Sequence, residues 1–150
     1  PGQKSAYSNL GYCLLGKAIA DARGLSYRDA VNRDIPETRQ MGMDPWLGPA
    51  GGWSGTAEAY FRFAARPLPA GTTNHPVPRP DDVPYGLGWG VGPDGLLTHF
   101  GVLAEHFTIL VRKGSFVAVA LFDGRPADPT AAAVALRPIL LDLVEGNGAR

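Results

Sequence analysis

The chain predicts an α+β fold, with helices in the N-terminal part, an antiparallel sheet of about four strands, and a C-terminal helix packed on that sheet. Three observations carry this expectation. Apolar residues recur at helical spacing from Leu10 to about Arg23. After Pro84 the period changes to two, and short apolar runs broken by turn residues follow one another as far as Phe122. A last helical pattern opens at Pro129.

Taken in order, Pro1-Gly2 reads as a turn, and the first helix places Leu14, Leu15, Ala18, Ile19 and Ala22 on one face. Gly24 stands where a helix stops. Ser26-Tyr27-Arg28-Asp29 resembles a capping box, with Asp in place of Glu, and predicts a short second helix that Pro36 ends at Ile35. Met41-Gly42-Met43 and the Gly/Pro-rich stretch to Gly52 read as loop. Ser54 or Thr56 can cap a third helix carrying Glu58 in its first turn, with Tyr60, Phe61 and Phe63 as core aromatics.

From Pro67 to Pro84 there are six prolines and no periodicity, which predicts a long irregular loop. Tyr85 to Val91 alternates Gly with large apolar residues, as a strand can. Leu96 to Gly101, Glu105 to Arg112 and Phe116 to Phe122 predict three further strands, with turns at Pro93-Asp94-Gly95 and Lys113-Gly114. The closing helix presents Val134, Leu136, Ile139, Leu140 and Leu143, with Pro138 as a bend. Two parts follow: residues 1–84, helical with the Pro-rich loop, and residues 85–150, sheet plus closing helix.

Composition narrows the function. The 150 residues are 45% apolar and 19% charged, which is the balance of a folded chain. A formal net charge of zero removes the electrostatic argument for nucleic acid or an anionic membrane as partner. The single Cys13 excludes an internal disulfide and a cysteine-based zinc site, and its helical context predicts a buried thiol. No apolar run reaches membrane-spanning length. No His/Asp/Glu grouping has metal-ligand spacing, and His75 and His106 read as ordinary histidines. The chain begins at Pro1 with no signal-peptide pattern, so its residues leave the compartment open.

Two short motifs carry chemistry. Tyr7-Ser8-Asn9 stands at the start of the first helix, and His99-Phe100-Gly101 lies in a predicted strand about ninety residues later. Alone, Tyr-Ser-Asn is more often a helix cap, and both roles can hold with Ser8 as the cap. A lone His99 is more often an ordinary half-buried strand residue. Gly90-Val91-Gly92-Pro93-Asp94-Gly95 matches a dinucleotide-binding pattern but leads into a strand, so a hairpin turn is the better reading. What raises the first two motifs above these readings is their ordered company: Pro1-Gly2, Met41-Gly42-Met43, Gly52-Trp53-Ser54-Gly55-Thr56-Ala57 and Tyr85-Gly86-Leu87-Gly88-Trp89.

This ordered set resembles the penicillin-recognising serine hydrolases, the group of class C β-lactamases, D-Ala-D-Ala carboxypeptidases and EstB-like esterases. The resemblance implies the C-terminal portion of a β-lactamase/transpeptidase-like fold. It implies Tyr7 as catalytic base, Asn9 as the amide that holds substrate and the catalytic Lys, and His99 as the third-motif residue. Gly101 would let substrate lie along the strand edge, and the Val102 backbone N–H would be one of two oxyanion donors. A phenol has a pKa of about 10, so Tyr7 needs neighbouring positive charge to act as a base. His99 stands where many relatives carry Lys and is only partly charged near neutrality. This leans towards an esterase or peptidase rather than an efficient β-lactamase.

The first family motif, Ser-x-x-Lys, carries the nucleophile. Three residues before Lys4, Lys17 and Lys113 stand Pro1, Leu14 and Leu110, so the motif is absent. Other departures are Phe100 in place of Thr or Ser, Val102 in place of a small residue, and Ala104-Glu105 in place of a Pro-Gly turn. Each adds bulk or charge beside the substrate edge.

The expectation is therefore part of a serine hydrolase that acts on a β-lactam, D-Ala-D-Ala peptide or small ester through an acyl-enzyme, without metal or organic cofactor. The chain as it stands is expected to be inactive. The alternative is a non-catalytic remnant or binding module on the same fold. Relatives are often secreted or periplasmic. The family's sheet also uses N-terminal strands that the chain lacks, which predicts an uncovered sheet edge and a tendency to self-associate.

Overall fold

The structure, a computed structural model, describes residues 8–79 and 82–146. Within them the chain forms two compact units, residues 8–63 and residues 64–146, each taken by itself below. The α+β class is as expected: four helices, one two-stranded antiparallel sheet and one four-stranded antiparallel sheet.

In the first unit, α1 (Asn9–Arg23) is opened by Ser8, whose hydroxyl accepts from the Gly11 N–H, and closed by Gly24 in the left-handed conformation at φ 61°. Helix α2 (Tyr27–Asp34) begins as the capping box predicts, with Ser26 Oγ accepting from the Asp29 N–H at 3.1 Å and donating to its carboxylate at 2.7 Å. The 3-10 turn Pro36–Gln40 follows. Thr56 caps α3 (Ala57–Ala64) through the Ala59 N–H, and Glu58 pairs with Arg62 one turn on.

Three expectations fail in this unit. The α3 aromatics are not buried core: Phe61 is 43% exposed, and Tyr60 and Phe63 are only half-buried. The stretch read as loop contains β1 (Gly42–Met43), paired antiparallel with β2 (Trp53–Ser54). Two residues per strand are too few to write an alternating pattern. The apolar face of α1 is also not a buried one. Leu14 and Leu15 are about 60% exposed (61% and 62%), Cys13 is half-buried, and the buried residue of the helix is Gly16, packed on Pro49. Leu15, Ala18, Ile19 and Ala22 instead line a shallow apolar groove with Ala30, Val31 and Ile35 of the α2 segment.

The second unit is built on β3 (Gly90–Val91), β4 (Leu96–Leu103), β5 (His106–Lys113) and β6 (Phe116–Asp123), in that spatial order. Two-residue hairpins at Ala104-Glu105 and Gly114-Ser115 fix the register, and Phe100 lies opposite Ile109 and Ile109 opposite Ala120. Residues directly opposite share a face. Leu96, Phe100, Val102, Phe107, Ile109, Val111, Ala118 and Ala120 therefore meet α4 (Pro129–Gly146), which contributes Ala133, Leu136, Leu140 and Leu141. Phe107, Ile109 and Val111 are at most 2% exposed, and each such burial contributes about 1.5–3 kcal/mol. Asp128 caps α4 through the Ala131 N–H.

The helix is turned from the face first read. Leu136 and Leu140 pack inward, whereas Val134, Ile139 and Leu143 are exposed and Ala133 and Val144 take the inner positions. An alanine-rich helix offers several stripes, and the sheet selects the one with the closest approach. The segment from Tyr85 to Val91 is not one strand either. Tyr85 pairs with Val77 in an isolated bridge, the chain turns at Gly86–Trp89 with Gly88 at φ 83°, and only Gly90–Val91 joins the sheet. Alternating glycines suit a turn as well as a strand.

Candidate functional site

Of the residues expected to carry chemistry, Tyr7 lies outside the described residues. Asn9 is the first residue of α1 and is exposed. Ser8 caps the helix at its side, so Ser8-Asn9 does provide a helix start. His99, Gly101 and Val102 all lie on β4.

The alternation along β4 divides them. Val102 sits on the α4 side and packs against the core. His99 and Gly101 project to the other side, in register with Leu110 and Thr108. Strand β3 pairs only with Leu97 and Thr98. Beyond Thr98, no strand among the described residues pairs with that edge of β4, the edge along which His99 to Leu103 run. A Cβ added at Gly101 would meet only the Thr108 hydroxyl, at 3.5 Å, an ordinary contact. Neither crowding nor a left-handed backbone requires glycine there.

His99 is held by Tyr85, quoted above only as part of a motif, and by loop and helix residues that no motif marks. Its Nδ1 lies 3.3 Å from the Tyr85 hydroxyl, with ring centroids 6.1 Å apart. Tyr85 is itself fixed by two backbone hydrogen bonds to Val77, both 2.8 Å. The Arg79 guanidinium stands over the Tyr85 ring, 5.5 Å from its centroid. Arg79 also lies 3.7 Å from Asp82, whose carboxylate is 3% exposed and accepts from Arg137 of α4 at 2.6 Å. Arg137 is 11% exposed on its side chain, and its Nε is buried with no hydrogen-bond partner among the described residues. A continuous polar chain thus runs from α4 through the Pro-rich loop to β4.

These surroundings set the charge of His99. Enclosure of the ring by neighbouring atoms lowers its pKa from the ordinary 6.5, although the residue as a whole is only half-buried. A hydrogen bond to the Gly88 backbone opposes this, and the positive charge of Arg79 adds to it. The shift runs towards the neutral imidazole, so His99 carries less charge near neutrality than a free histidine would.

The remaining candidates take ordinary roles. His106 is exposed and faces Asp123 at 3.1 Å across the β5–β6 pair, and His75 is exposed in the loop. Gly90 to Gly95 leads through a 3-10 turn into β4 rather than into a helix, so it lacks the frame of a dinucleotide site. Among the described residues, no group of His, Cys, Asp or Glu could hold a metal ion, and no helix is long and apolar enough to cross a membrane. No protein-family model matches the chain, and no curated protein matches it.

Proposed function

We propose that the chain supplies part of a serine hydrolase acting on an ester or amide through an acyl-enzyme, with the nucleophilic Ser and its Lys outside these 150 residues. One observation carries the reading: Tyr-x-Asn at a helix start and His-x-Gly on a strand resemble, in order and approximate spacing, the motifs of the penicillin-recognising hydrolases, with four further motifs between and around them. The half of the chain that follows the Pro-rich loop adds support. His99 and Gly101 share one side of β4 along an edge that no strand among the described residues covers beyond Thr98, and the glycine there has no packing reason.

In this reading Tyr7 takes the proton of the nucleophile and returns it to the leaving group. Asn9 holds the substrate amide, and the Val102 N–H is one of two oxyanion donors. A neutral His99 contributes a hydrogen bond rather than a charge to this machinery. That suits a small ester or peptide better than tight capture of a carboxylate-bearing β-lactam.

The test uses the chain joined to an upstream Ser-x-x-Lys segment, assayed with nitrocefin, p-nitrophenyl esters and a fluorescent penicillin. Ester turnover is expected, with weaker penicillin labelling. No reaction with any of the three, from a folded protein with the Ser-x-x-Lys present, overturns the proposal. A second reading, a non-catalytic module on the same fold, is favoured by a specific observation: no Ser-x-x-Lys occurs in the chain. It predicts a folded chain that binds a peptide or protein and turns nothing over even when lengthened.

A further inference from the structure

The polar chain behind His99 has the arrangement of a positioning device. A neutral imidazole offers one donor and one acceptor, and which nitrogen is protonated follows from what each nitrogen meets. At Nδ1 stands the Tyr85 hydroxyl, 3.3 Å away. The Gly88 backbone beside the ring favours its charged form and so opposes the neutral one. If Nδ1 accepts from Tyr85, Nε2–H is the nitrogen left to donate.

Tyr85 does not reach this position by chance of rotamer. Its backbone is clamped to Val77 on both sides, its ring is covered by Arg79, and Arg79 is drawn to the buried Asp82 that Arg137 anchors to α4. The other charged groups on this side of the sheet are turned elsewhere. Arg112 donates to the carbonyls of Ala64 and Arg66, and His106 pairs with Asp123 at the far hairpin end. From β5 and β6 the nearer positions on this face are Thr108, Leu110, Val117, Val119 and Leu121, which carry no charge.

We propose that Tyr85 is a positioning residue: its hydroxyl, held by the Val77 pairing and by Arg79, fixes His99 as the neutral Nε2–H tautomer. The permanent positive charge beside the third-motif position is then that of Arg79. The inference rests on reading His99 as the third-motif residue, but its test does not depend on any turnover.

The chain has only three histidines, so each can be followed by long-range 1H–15N correlation. In the wild-type chain His99 should show the Nε2–H pattern at neutral pH and titrate below the ordinary histidine value of about 6.5. Tyr85→Phe should raise the His99 midpoint by about half a pH unit or more and lose the single tautomer. Arg79→Gln should raise the midpoint while the tautomer persists. His75 and His106 should not move, and unchanged amide spectra elsewhere establish that the variants remain folded. An Nδ1–H pattern in the wild type, or a Tyr85→Phe spectrum in which His99 keeps both its tautomer and its midpoint, overturns the proposal. Absence of hydrolysis leaves these readouts unaffected and bears only on the proposed function.

Discussion

Enclosure costs the imidazolium of His99 its hydration, and this makes the stability of the sheet unit depend on pH. The folded pKa lies below the unfolded value of about 6.5, so between the two the unfolded chain binds more protons. Stability is unaffected by this residue above about pH 6.5 and falls as the pH drops below it towards the folded value. Urea midpoints measured at pH 7.5 and 5.5 should differ more for the wild type than for His99→Gln, and an equal difference in both contradicts this. The Asp82–Arg137 pair gives a second test. Asp82→Ala leaves Arg137 charged in a place 11% exposed and should cost about 3 kcal/mol in urea denaturation. The double change Asp82→Leu with Arg137→Met should recover most of that loss. Of this site the sequence shows His99, because a cation-position residue two before a glycine on a strand is a local pattern. Asp82 and Arg137 join across 55 residues of chain from loop to helix, with Arg79 beside Asp82, and nothing local marks them. Tyr85 stood inside a recognised motif, yet its role depends on a turn that the alternating glycines concealed.

Helix ends are legible at the scale of the element, since Ser8, Ser26, Thr56 and Asp128 each cap as their residue types allow. Faces are less so. In α1 the apolar stripe lines an open groove, while the crowded contact is made by a glycine. A Cβ at Gly16 would fall 2.0 Å from Pro49 Cγ, whereas one at Gly11 would meet only Ser8 Cβ at 3.9 Å. Gly16→Ala should therefore destabilise the first unit by about 1–3 kcal/mol. Gly11→Ala should stabilise it by about 0.5–1 kcal/mol through the better helix former. Thermal denaturation of the two variants should shift in opposite directions, and a shift of the same sign would refute the packing of α1 on the turn at Gly48–Ala50.

For the molecule as a whole, the fold class was readable because the period changes once from helical to alternating and once back. The exposed apolar surface follows from the same pattern. Strand β6 is eight residues long, ends the sheet, and carries Phe116, Leu121 and Phe122 exposed, with no Pro or Lys to blunt it. The chain should associate with rising concentration in analytical ultracentrifugation, and Leu121→Lys should weaken that association without loss of helicity. A monomer at all concentrations contradicts this. The central claim, that Tyr7, Asn9 and His99 serve an acyl-enzyme whose serine lies elsewhere, is met most directly by intact-mass spectrometry after exposure to an activated ester or penicillin. A single acyl adduct is expected on a lengthened protein bearing Ser-x-x-Lys, lost when that Ser becomes Ala, and no adduct on the 150-residue chain. No adduct on the folded, lengthened protein, or an adduct of the same yield on the 150 residues alone, would contradict it.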